Sequence, residues 1–135
     1  MRYFGTGSKV QVHMKKGDET MAPLAMALPL LPGKTEAWKH WVQEMAGARL
    51  SEFQASRKGL GITREASFLQ QTPVGDMAIL YIEADDIPRA FQGLATSQQP
   101  FDVLFRQKTQ EFFGLDLAQP PSGPLPETVF DWRAG

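Results

Sequence analysis

Met77-Ala78-Ile79-Leu80-Tyr81-Ile82 is an unbroken apolar run. A strand with one wet face alternates apolar and polar residues, because successive side chains point to opposite sides of the sheet. This run does not alternate, so it reads as a strand that needs cover on both faces. Leu24-Ala25-Met26-Ala27-Leu28 has the same character. Helices layered on one face leave the other bare, and a second copy packed face to face about a two-fold axis would cover it. The competing cover is the chain's own extended segment, residues 115–126. Large bare apolar patches are rare on monomers, which favours the homodimer.

Elements can be read outward from that run. The Leu24–Leu28 strand is stopped by Pro29, Pro32 and Gly33. Thr35 is placed to cap a helix, and Trp38, Trp41, Val42, Met45 and Phe53 recur at helical spacing to about Arg57. Gly59 and Gly61 end it. Ile62–Thr72 and Met77–Ala84 are joined by Pro73-Val74-Gly75-Asp76, a hairpin signature. Asp85 or Asp86 caps a helix through Leu94, and Pro100 opens another, with Phe101, Leu104, Phe105 and Phe112 on its stripe. A proline-bearing connector, Leu115–Pro126, leads to a last strand at Thr128–Trp132. The expectation is an α+β fold: ferredoxin-like βαββαβ topology, a four-stranded antiparallel sheet and a second helix split in two.

Residues 1–20 read as a polar, glycine-rich extension, partly disordered, ahead of a single domain at 21–135. Only Lys9–His13 alternates like a strand there, and Met21 offers an alternative start. A 135-residue chain can bury one real core without staples. The absence of cysteine removes disulfides, thiolate metal sites and cysteine nucleophiles, and suits a reducing cytoplasm. Net charge is −1, with no basic stripe, which argues against nucleic acid. No run spans a bilayer; Ala22–Leu31 resembles a signal core, but Pro23 and Pro29 interrupt it.

Motifs of high specificity are missing: the glycine pairs lack a phosphate-loop lysine, and no metal-ligand spacing occurs. No cofactor is expected. On a helical wheel centred on Trp38, Arg49, Glu52 and Ser56 fall on the apolar arc, while His40 points away. A charge facing a sheet must be paired or reach water. The simple account is an Arg49–Glu52 i,i+3 pair. The sharper one is a polar patch at a cavity mouth, with Arg49, Ser56 and Arg64 as ligand-binding candidates and Glu52 and Tyr81 as catalytic ones. Arg57 and Arg64 flank the helix-to-strand turn and read as surface pairs. Asp102, in a first helical turn, offsets the helix dipole and can pair with Arg106. Trp132 and Tyr81 are expected to be core aromatics.

Pro32-Gly33-Lys34 before a Trp-bearing helix, Phe68-Leu69-Gln70-Gln71-Thr72, Gly75-Asp76, Tyr81-Ile82-Glu83-Ala84-Asp85-Asp86 and Ser97-x-x-Pro100-Phe101-Asp102 carry a resemblance. Over Ala22–Phe113 the chain resembles small bacterial proteins, without assigned function, of the dimeric α+β barrel type. That resemblance implies homodimers built from two facing sheets. Wider relatives include cofactor-free monooxygenases, heme-handling proteins and YCII-like or EthD-like domains, whose chemistry occupies a helix–sheet cavity. None of their catalytic motifs matches here residue by residue, and fold alone does not settle function. Three functions remain open at this level. The leading one is a cytoplasmic small-molecule-binding or accessory protein. The others are a cofactor-independent monooxygenase- or isomerase-like enzyme, and a dimerisation module without a site.

Overall fold

The computed structural model describes residues 22–135. The expected extension over 1–20 and the start at Met21 lie outside the described residues. Seven elements follow in chain order: β1 (Ala22–Pro29), α1 (Thr35–Ala46), α2 (Leu50–Leu60), β2 (Ile62–Thr72), β3 (Gly75–Ala84), α3 (Ile87–Thr96) and α4 (Pro100–Phe113). The sheet has three antiparallel strands in the order β1-β3-β2.

This corrects the ferredoxin-like expectation of a four-stranded sheet with one split helix. Thr128–Trp132, read as a fourth strand, is irregular and exposed. The prolines offer a physical reason. Pro120, Pro121, Pro124 and Pro126 precede that segment, and Pro23 and Pro29 remove two N–H donors from β1. Such a strand belongs at a sheet edge rather than in its middle. Four complete helices stand where one long helix and one divided helix were expected. The first long helix breaks at Gly47, where the Gly47 and Arg49 amides both return to the Glu44 carbonyl.

The central strand β3 sends Ala78, Leu80, Ile82 and Ala84 toward the helices, beside Leu24, Met26 and Leu28 of β1. Two apolar clusters form there. One gathers Trp38, Trp41, Phe101 and Phe112 over Ala78; the other gathers Leu24, Ile82, Ala84, Ile87 and Ala90. Ala78 and Ala84 are completely buried, and their small side chains let helices approach the sheet closely. The opposite face carries Met77, Ile79 and Tyr81 of β3, Ala25 and Ala27 of β1, and Ala66 and Phe68 of β2. Phe68 is 56% exposed there.

Local chemistry fixes the joints. The hairpin turns at Pro73-Val74, where the Thr72 hydroxyl donates to the Gly75 carbonyl at 2.6 Å. Asp86 caps α3 by accepting from the Arg89 amide at 3.1 Å. Thr35 does not cap α1. Lys34 holds that position, and the Thr35 hydroxyl instead donates across to Asp76 at 2.7 Å, tying the helix start to β3.

Candidate functional site

Phe53, Ser56, Arg57 and Leu60 lie at i, i+3, i+4 and i+7 of α2, the spacing of one helical face. That face turns toward the sheet, so it carries an arginine and a serine inward. Arg57 is 5% exposed. Its guanidinium lies 4.7 Å from the Phe53 ring centroid and 4.3 Å from that of Phe105. Nε donates to Glu65 of β2 at 2.9 Å, and Nη1 donates to the Ser56 hydroxyl at 2.9 Å. Ser56 then donates to the Asp102 carboxylate, which also accepts from Ser97 at 2.6 Å. Asp102 is 4% exposed and sits in the first turn of α4, where the helix dipole favours an anion. Arg106 does not pair with it; its Nη1 donates to the Leu94 and Ser97 carbonyls, each at 2.8 Å.

Glu65, Arg57, Ser56, Asp102 and Ser97 thus form one continuous polar chain from β2 through α2 to α4. Arg57 is buried, contrary to its reading as a surface pair. Its partner Glu65 gave no separate signal, because a β-strand position three residues beyond Ile62 says nothing about which helix residue it will face.

Beside this chain opens a cleft of about 450 Å³ between the end of α2 and the start of β2. Phe53, Arg57, Lys58, Gly61, Arg64 and Glu65 are among the residues that line it. Gly61 ends α2 at φ 76°, the left-handed region, and a Cβ there would lie 3.3 Å from an Asp85 oxygen. A register shift between Ile62 and Arg64 sets Arg64 opposite Glu83, on the open face of the sheet. Of the site candidates read from sequence, Ser56 belongs to the buried chain and Arg64 lines the cleft. Arg49 and Glu52 do not join them. They pair on the surface at 3.1 Å, and the bond from Arg49 to Glu44 leads the contacts that raise its pKa.

Tyr81 lies on the far face of the sheet from α2. Its hydroxyl donates to Glu83 at 2.6 Å. That bond, followed by partial burial, raises the phenol pKa above its ordinary value, while Arg133 and Arg64 oppose the shift. Arg64 stands 5.5 Å from the Tyr81 ring and 4.0 Å from Glu83, so it touches both the cleft and the open face. No group of three or more potential metal ligands occurs among the described residues. No helix among them is long and apolar enough to cross a membrane.

A model for a family of unknown function (DUF6176) matches residues 21–117, which takes in all seven elements and every residue of the cleft and polar chain. No curated protein and no solved structure matches the chain.

Proposed function

We propose that this chain, which belongs to the DUF6176 family, is a cytoplasmic homodimer that binds a small anionic metabolite in the α2–β2 cleft. The observation that carries this reading is Arg57: a buried guanidinium, gripped between two rings, in the wall of an open cleft. Its Nε and Nη1 are engaged, and Nη2 has no hydrogen-bond partner among the described residues. A cation held in one orientation loses little entropy on binding, and a planar fork suits a carboxylate or phosphate. The cleft volume lies within the roughly 300–1,000 Å³ common to ligand sites. Lys58 and Arg64 add positive charge at its mouth.

Enzyme chemistry has less support. The Tyr81 hydroxyl donates a hydrogen bond to Glu83 and ionises less readily than a free phenol, so it is a donor rather than a base. Glu52 is tied to Arg49 on the surface, away from the cleft. The homodimer rests on a separate observation, the apolar sheet face holding Phe68, Met77 and Ile79 opposite the helices.

The test is a titration of isotopically labelled protein with inorganic phosphate and a panel of small carboxylates, followed by amide chemical shifts. Saturable shifts at Gly61, Thr63, Arg64 and Asp85, lost in Arg57→Met, are expected. Shifts elsewhere, or none from the whole panel, overturn the assignment of the cleft.

A further inference from the structure

The last ten residues pass the β1 edge without entering the sheet. Leu125 packs into the apolar cluster under the sheet, beside Leu24 and Ile82. From there the chain runs along Pro23–Ala25 and Tyr81, leaving a groove of about 250 Å³ between Pro126–Asp131 and the strands. Arg133 then reaches Glu83 on the open face at 3.6 Å. This segment is therefore anchored at both ends, at Leu125 below the sheet and at Arg133 on the rim of the face that no described helix covers. Between the anchors its large side chains point outward. Val129 is 90% exposed, Phe130 84% and Trp132 72%.

We infer that Thr128–Trp132 is an exchanged arm, which buries Phe130 and Trp132 on the open sheet face of a second copy. The inference rests on the homodimer reading and adds to it what completes the interface. Area is the argument. Three strands spaced about 4.8 Å apart, paired over eight residues at about 3.3 Å each, present a face of roughly 350 Å². A stable interface buries about 800 Å² of accessible surface on each partner, and even with side-chain relief added to that flat footprint the sheet face alone falls short of it. Phe and Trp each bury roughly 150–250 Å² when covered, and two of them with Val129 make up most of the difference. Position agrees, because the arm is held at the edge over which a facing sheet would arrive. A second copy is also the occupant that brings an apolar surface, its own Phe68 and Ile79, to the arm at the same time as it covers this chain's face.

The experiment compares the full chain with a chain ending at Pro126 and with Trp132→Ala, by sedimentation velocity across a concentration series. Loss of the arm should loosen the dimer at least roughly tenfold, and Trp132→Ala should account for much of that loss. Because the chain has no cysteine, Asp131→Cys can carry a benzophenone maleimide. In a mixture of isotopically heavy and light chains, irradiation should join the arm of one to the Met77–Glu83 peptide of the other. A dimer equally tight without the arm, or cross-links confined to one chain, overturns the inference and leaves the homodimer standing. A full chain that sediments only as a monomer overturns both.

Discussion

Arg57 of α2 and Glu65 of β2 meet at 2.9 Å, with the arginine side chain 7% exposed and the glutamate side chain 20%. The pair joins a helix to the strand that follows it, and the Ser56–Asp102 bond extends the link to α4. Breaking such a pair strands the remaining charge in a poor solvent, which costs more than the pair itself contributes.

Arg57→Ala should therefore lower stability by about 2–4 kcal/mol, and Ser56→Ala by about 1 kcal/mol. Urea unfolding measures both. If Arg57→Ala costs no more than Ser56→Ala, the guanidinium is not the centre of the network.

Thr35→Val removes the hydroxyl that reaches Asp76 and leaves the shape of the side chain nearly unchanged. A hydrogen bond to a carboxylate contributes about 1.5–3 kcal/mol, less where water can replace it. A loss of about 1–2 kcal/mol in unfolding free energy is expected. Thr35→Ser should retain most of it, whereas a role limited to helix propensity would make Thr35→Ser and Thr35→Val alike.

Gly61→Ala places a side chain on a left-handed residue beside Asp85. The backbone penalty is about 1–2 kcal/mol. Thermal unfolding should show that loss, and amide shifts lining the cleft should move even without ligand. An unchanged melting temperature would mean that the turn has relaxed to another conformation.

Tyr81 holds its proton more tightly in the folded chain than in the unfolded one, because the hydroxyl donates to Glu83. The stability this supplies is complete below the unfolded phenol pKa of about 10, and disappears as pH rises through the higher folded value. Urea midpoints measured from pH 8 to above pH 11 should fall faster for the natural chain than for Tyr81→Phe. Parallel curves would show that the bond contributes nothing.

Phe68→Lys replaces the most exposed large apolar side chain on the open sheet face with a charge. The fold should persist, because the residue joins neither buried cluster. If the proposed homodimer forms through this face, light scattering should show the natural chain as a dimer and Phe68→Lys as a monomer, since an unpaired charge opposes desolvation of the interface.

The elements were largely legible because apolar period and chain punctuation are local. Pro100, Gly114 and the Pro73–Gly75 turn mark boundaries that the structure keeps. The candidate site was legible only in part. A wheel carried unbroken through Gly47 put Arg49 and Glu52 inward along with Ser56. The break there restarts the helix on a new phase, turning the first two to solvent and Arg57 to the core. A single glycine does not announce how far a helix will rotate when it resumes.

The sequence by itself determined the first strand, the β2–β3 hairpin, the helix opened by Pro100 and closed at Gly114, the two-faced apolar character of β3 and the absence of cysteine, since these depend on neighbouring residues or on composition alone. The three-stranded sheet, the Arg57–Glu65–Asp102 network and the exposure of Trp132 were decided only in tertiary structure. Each turns on which distant groups compete for one partner: whether a tail finds donors on β1, or an arginine finds a carboxylate and two rings. Residue spacing carries no record of that competition, because its outcome depends on the position of every packed element at once.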